Sequence, residues 1–148
     1  MMPLYFTPDP NNPLRSVAVD IEFVSNNLKF QKASMGLAAE QANATIEASV
    51  TEGPTDGDGR VHSTLHLQAA VPSQAAGEGL PDGLLAYLLF QISLDAKPFR
   101  IRLVPSVTSA EPMGNPQGQV ASVATEEGLV IVEALDVMPE ATCFFFSH

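Results

Sequence analysis

The chain has 148 residues, of which 45% are hydrophobic and only 16% are charged. This composition argues against a disordered chain and fits one globular domain with a sizeable core. The formal net charge of −10 argues against a nucleic acid or an anionic membrane as partner, and the one cysteine, Cys143, cannot form an intrachain disulfide.

Residues 1–14 are rich in proline, and each proline pushes the residue before it towards extended geometry. We predict an extended N-terminal arm here, with Leu4, Tyr5 and Phe6 as its anchors. The arm lacks a basic region and an uninterrupted apolar run, so it does not fit a secretion signal. Residues 15–148 are predicted to form a single β-rich domain.

Alternation of apolar and polar residues predicts a half-buried strand between Ser16 and Val24. Asn26 and Asn27 then favour a turn, after which residues 28–30 can begin a short return strand. Residues 35–42 have a helix-forming composition and predict a short helix. The inward positions of the first strand are Val17, Val19, Ile21 and Phe23.

The strongest local pattern is a β-hairpin between Ala44 and Val71, because both arms alternate apolar with polar residues. Residues 52–60, rich in glycine and aspartate, predict a nine-residue turn between the arms. The register must place Ile46 and Leu65 on the same face, since a slip by one residue would turn the leucines of the second arm out to water.

The apolar run Leu84–Leu94 follows a linker of small residues and is too short to span a bilayer. We favour a helix here, capped by Asp82, because leucine, alanine, tyrosine and glutamine outnumber β-branched residues. A fully buried strand is the alternative, because periodicity does not separate the two for a short apolar run.

From Pro98 a strand is expected, with Phe99, Ile101 and Leu103 on one face and Arg100 and Arg102 on the other.

The last third of the chain is acidic, because no lysine or arginine follows Arg102. We expect Arg100 and Arg102 either to pair with carboxylates of the same fold or to make head-to-tail contacts between subunits. Residues 105–119 contain three prolines and predict a long loop. Two strands are expected after it, at 120–124 and 128–137.

The two histidines of the hairpin invite a metal-site interpretation. His62 and His66 are four residues apart, which separates them by about 13 Å on a strand, too far for one ion to bridge. The Asp56–Gly59 turn with Glu52 resembles half of a calcium loop, but a hairpin turn uses the same residues for backbone reasons. We therefore predict no metal site and no cofactor.

Few side chains suit catalysis. Cys143 has no basic neighbour that would activate its thiol. Asp20 and Glu22 share one strand face, where carboxylates are usually solvated. We predict no catalytic residue, and an enzyme that uses Asp20, Glu22, Glu47 or the histidines is the least favoured hypothesis.

Phe144, Phe145 and Phe146 form the strongest signal for contact with another molecule. On a surface strand, alternation would expose at least one of them, and burying a phenylalanine contributes on the order of 1.5–3 kcal/mol. The alternative is an inner strand that is buried on both faces.

Together these patterns predict a mainly β fold, an antiparallel sandwich or curled sheet with one or two short helices, with α+β as the alternative. We predict a non-enzymatic structural or assembly protein, such as a subunit, cement protein or adaptor of a larger particle, for example a viral one. Its partners would be proteins, including further copies of itself. The alternative is a soluble acidic binding module, such as a chaperone, an inhibitor or a small-ligand carrier. The predicted interaction residues are Leu4, Tyr5, Phe6, Arg100, Arg102, Phe144, Phe145 and Phe146.

Overall fold

The computed structural model describes residues 1–72, 79–93, 99–114 and 124–132. These residues form a mainly β fold with one short helix, which confirms the predicted fold class. In chain order the elements are β1 (Met2–Phe6), β2 (Leu14–Val24), β3 (Leu28–Met35), α1 (Leu37–Gln41), β4 (Thr45–Thr55), β5 (Val61–Ala70), β6 (Gly83–Ile92), β7 (Phe99–Pro112) and β8 (Gly128–Val132).

The larger sheet has five antiparallel strands in the order β4-β5-β2-β7-β8. Its central strand β2 buries alternate side chains, which confirms the half-buried strand predicted from the alternation. β7 repeats the pattern, because Ile101 and Leu103 are buried while Arg100 and Arg102 are exposed. The inward residues of β2 are the four predicted, Val17, Val19, Ile21 and Phe23.

The smaller sheet has three antiparallel strands in the order β1-β6-β3. The predicted return strand after Asn26 and Asn27 is β3, and it pairs with β6 in this second sheet. Residues Met2–Phe6 of the predicted N-terminal arm form β1, which pairs with the other edge of β6. β6 is therefore the central strand of this sheet.

The two sheets share one core, as expected for a β-sandwich. Phe90 of β6 contacts Phe23 of β2 edge to face, with ring centroids 5.4 Å apart. Phe90 also meets Phe30 of β3 at 5.5 Å, so one ring links β2 of the larger sheet to β3 of the smaller one. Leu65 and Ile101, fully buried in the larger sheet, complete the centre of this core.

The β-hairpin has the predicted register. Ile46 faces Ala69 and Val50 faces Leu65, so inward residues pair with inward ones. The predicted nine-residue turn is too long, because β4 continues to Thr55 and pairs with Val61. A register shift between Glu52 and Thr55 absorbs the extra residues, and the turn itself occupies residues 56–60.

The predicted helix at Leu84–Leu94 is wrong, because residues 83–92 form β6. Neighbouring strands on both sides satisfy its backbone hydrogen bonds, and this tertiary pairing overrides the weak helix preference of leucine and alanine. Asp82 caps no helix, since Gly83 has a φ of 117°, a left-handed conformation that does not begin a helix. The short helix expected at 35–42 does form, as α1.

The predicted long loop at 105–119 is wrong in its first half, because β7 continues to Pro112. Its register with β2 places Pro105 opposite Ile21 and Pro112 opposite Leu14. Proline is compatible with a strand at positions whose N–H is not needed by the ladder. β8 confirms part of the strand expected at 128–137, whereas residues 115–123 and 133–148 lie outside the described residues.

Within the described ranges no helix has the length and apolarity that would let it cross a bilayer.

Phe23 provides a test of the shared core. Phe23→Ala removes a side chain that is 3% exposed and should lower the free energy of unfolding by about 3–5 kcal/mol. Urea unfolding followed by circular dichroism measures this loss. The control Leu129→Ala removes a side chain that is 53% exposed and should change stability by only about 0.5 kcal/mol. Equal losses in the two variants would contradict the assignment of the core.

Candidate functional site

The outer face of the three-stranded sheet carries exposed apolar and aromatic side chains. Tyr5 is 68% exposed and Leu89 is 36% exposed, and Tyr87 of β6 is partly buried between them. In the register, Tyr5 lies opposite Leu84, and Pro3 lies opposite Tyr87. We call this surface the apolar face, and it comprises Pro3, Tyr5, Leu84, Tyr87, Leu89, Lys29, Gln31, Lys32, Ser34 and Gln91.

The charge of the apolar face differs from that of the chain as a whole. β1, β3 and β6 contain no aspartate or glutamate, although the chain carries 17 acidic residues. Lys29 and Lys32 of β3 are exposed, and their backbone partners are Gln91 and Leu89. Among the described residues neither lysine has an ion-pair partner. The face is therefore apolar and slightly basic on an acidic protein.

The outer face of the five-stranded sheet has the opposite character. Its cross-strand pairs between β2 and β5 include Asp20 with His66, and Glu22 with Thr64. Side chains on both sides of His66 line a shallow depression of about 410 Å³, which includes Asp20 and Glu47. We call this surface the polar face, and it comprises Ala18, Asp20, Glu22, Thr45, Glu47, Ser49, Thr51, Thr64, His66, Gln68, Ser106 and Thr108.

His66 connects an acid and a hydroxyl on the polar face. Its Nδ1 lies 2.7 Å from Oδ1 of Asp20, and its Nε2 lies 3.0 Å from Oγ1 of Thr51. Because a carboxylate only accepts, Nδ1 donates to Asp20, and in the neutral form of the ring Nε2 would accept the Thr51 hydroxyl. The connectivity is that of an acid, base and nucleophile in acyl-transfer enzymes.

Acyl transfer requires more than this hydrogen-bond connectivity. An oxyanion needs N–H donors aimed at the reacting carbonyl oxygen. The N–H groups of strand residues lie in the plane of the sheet, and those of β2 and β5 serve the ladders with neighbouring strands, while β4 is an edge strand that pairs with β5. In-plane N–H groups are not directed at the outward side of Thr51 in the part of the sheet that the structure describes, and we call the network a cross-strand clasp.

His62 belongs to a separate group at the hairpin turn. Its Nε2 lies 3.0 Å from Oδ2 of Asp56, and Oδ1 of Asp56 accepts the N–H groups of Asp58 and Arg60 at 2.9 Å each. The hydrogen bonds from His62 and from the Arg60 backbone lower the pKa of Asp56. The two histidines thus have different carboxylate partners, and no group of three or more metal-ligating side chains occurs in the described part of the chain.

The predicted anchors in β1 divide between the two sides of the strand. Leu4 and Phe6 pack against the core of their own chain, whereas Tyr5 points outward. Tyr5 is therefore the anchor that is accessible to another molecule. Phe144, Phe145 and Phe146, like Cys143, lie outside the described residues.

The predicted basic contacts also differ from each other. Arg102 pairs with Glu127 through hydrogen bonds of 2.9 Å from Nε and 2.5 Å from Nη2, which is the pairing within one fold that was expected as one of two possibilities. Arg100 is exposed and lies opposite Ile131 of β8. Because both side chains are exposed, solvent screens the pair of Arg102 with Glu127 and it contributes little to stability.

Sequence reasoning missed Tyr87, Leu89, Lys29 and Lys32. The first two fell within the predicted helix, whose period would have separated them onto different faces. A usable signal was present, because the three segments that form this sheet lack acidic residues in a chain with a net charge of −10.

Comparison of the chain with protein-family models, with curated proteins and with solved structures finds no match.

The turn should respond to acid through Asp56. Because hydrogen bonding lowers its pKa below the ordinary value of 3.8, its contribution to stability is complete above that value. It should be lost as pH falls through the lowered pKa. NMR amide shifts of Asp58 and Arg60 should follow this titration, and in Asp56→Asn they should not. A titration at or above the ordinary value would contradict the geometry.

The clasp on the polar face can be tested with a double-mutant cycle. Because His66 and Asp20 are partly exposed, Asp20→Ala and His66→Ala should show a coupling of only about 0.2–1 kcal/mol in urea unfolding. Glu22 and Thr64 are also opposite each other but share no hydrogen bond, so their cycle should give a smaller coupling. Equal coupling in both cycles would contradict the clasp.

Proposed function

We propose that this protein is a non-enzymatic structural or assembly protein that binds protein partners through its apolar face. Such a role suits a subunit, cement protein or adaptor of a larger particle, for example a viral one, located in a virion or in the cytoplasm. The observation that supports it is the exposure of Tyr5 and Leu89 on a sheet face without a carboxylate.

The exposed area favours contact with another surface. Burying a side chain of the size of leucine or phenylalanine contributes roughly 1.5–3 kcal/mol. Tyr5, at 68% exposed, and Leu89, at 36% exposed, leave part of this apolar surface open to solvent. Adjacent apolar side chains on an otherwise polar surface are typical of interaction sites.

The strands of this sheet favour contact through the face and disfavour contact along the edges. β1 and β3 are the edge strands. Pro3 in β1 has no N–H to offer to another strand, and lysines such as Lys29 and Lys32 discourage pairing along β3. A partner would therefore pack on the side chains and would not extend the sheet.

A second candidate function is the soluble acidic binding module, and the depression on the polar face favours it. Asp20 and Glu47 line this depression of about 410 Å³, and none of the described residues that line it is a lysine or arginine. Its chemistry fits a basic group of a protein or a small ligand. Such a complex would weaken with added salt, because the carboxylates are partly exposed.

The oligomeric state of matched variants distinguishes the two candidate functions. Tyr5→Glu combined with Leu89→Glu should reduce self-association at least tenfold, because about 1.4 kcal/mol corresponds to a factor of ten. The control Ser49→Glu with Ser109→Glu places the same charges on exposed strand positions of the other sheet and should associate like the unchanged chain.

Light scattering over a range of protein concentrations measures the molar mass of each form. Circular dichroism confirms that each variant is folded. Unchanged association of the Tyr5 and Leu89 variant would show that the apolar face is not the contact. A monomer at every concentration for the unchanged chain would contradict self-assembly and favour the binding module.

A further inference from the structure

The apolar face sets two requirements for its occupant. The aromatic and leucine side chains require apolar surface, and Lys29 and Lys32 require carboxylates close to that surface. Neither of the two large faces of the sandwich supplies both. Two apolar faces packed together would oppose four lysines without a carboxylate, and the polar face supplies Asp20, Glu22 and Glu47 among hydroxyl groups.

The chain itself contains a segment with both properties. Residues 133–148 follow β8 and contain no lysine or arginine. Their carboxylates and their apolar side chains are interspersed, so a short stretch presents both. The acidic residues are Glu133, Asp136 and Glu140, and the large apolar ones are Leu135, Val137, Met138, Phe144, Phe145 and Phe146.

We propose that residues 133–148 of a second copy of this chain occupy the apolar face. This assignment deepens the proposed function and rests on it. The phenylalanines pack on Tyr5, Tyr87 and Leu89, and the carboxylates pair with the two lysines. Each copy offers one such segment and one such face, so the contact is heterologous and can be reciprocal in a dimer or continue through a larger assembly.

The end of β8 from which residues 133–148 continue is compatible with docking on a second copy. Gly128, at the start of β8, adjoins β1, because a Cβ there would lie 2.9 Å from Cε of Met2. β8 then runs away from this contact, and its last residue Val132 pairs with Phe99 at the opposite end. The following segment therefore departs from the end of β8 that is farther from Met2.

Mixing two full-length variants tests the pairing. The tail variant carries Phe144→Ser, Phe145→Ser and Phe146→Ser, and the face variant carries Tyr5→Glu and Leu89→Glu. Each alone should be monomeric by analytical ultracentrifugation where the unchanged chain associates. An equimolar mixture should form a heterodimer and nothing larger, because only one intact tail and one intact face remain for each pair.

The other outcomes each overturn a stated part. A tail variant that associates like the unchanged chain overturns the assignment of the tail and leaves the apolar face as the contact. A face variant that associates like the unchanged chain shows that the apolar face is not the contact, and this overturns the proposed function. Two monomeric variants that do not combine, or an unchanged chain that is monomeric, overturn docking on a second copy.

The charges give an independent readout on the same chain. Lys29→Gln with Lys32→Gln should weaken association about two- to fivefold, the scale of exposed ion pairs, and should reduce its dependence on salt. If Leu89→Glu prevents folding, Tyr5→Glu with Lys32→Glu replaces it as the face variant. No change in affinity or salt dependence would overturn the pairing of the lysines with the tail carboxylates.

Discussion

The placement of β6 between β1 and β3 is the constraint on which the rest of the structure depends. Without this strand the N-terminal residues and β3 would have no common neighbour, since they do not pair with each other. β6 also supplies Phe90, whose ring meets Phe23 of the larger sheet and Phe30 of its own. One strand thus forms the smaller sheet and joins it to the larger one.

The same strand gives the two outer faces of the sandwich their different chemistry. Its inward residues Ala86 and Leu88 are buried, while Tyr87 and Leu89 on the opposite side form part of the apolar face. A strand that is apolar on both sides is expected where both sides are covered. In the described residues only the inner side of β6 is covered by the other sheet. The proposed assembly role follows from this difference.

The sequence predicted strands where a single face is buried. β2 and the hairpin have strict alternation, and a one-residue slip would expose their leucines and valines, so pattern and register agree with the structure. The helix prediction for β6 was wrong because a leucine-rich run is compatible with a helix and with a strand. Only the neighbouring strands decide between the two. The prediction for β7 was wrong beyond Val104, because prolines are typical of loops. The strand ladder nevertheless tolerates the prolines of β7.

The candidate site was predictable only in part for the same reason. Tyr5 was predicted as an anchor together with Leu4 and Phe6, because proline favours extended geometry in the N-terminal residues, and only the structure separates it from the other two. Tyr87 and Leu89 required β6 to be a strand. Lys29 and Lys32 became meaningful only through their register with β6, which is a long-range pairing. Local patterns carry no information about such pairings.

Association through the apolar face is tested most directly by an NMR map of amide shifts as a function of protein concentration. The residues whose signals shift or broaden with concentration should cluster on β1, β6 and β3, around Tyr5, Tyr87 and Leu89. Signals that do not change, or changes centred on Asp20, Glu47 and His66 of the polar face, would contradict it.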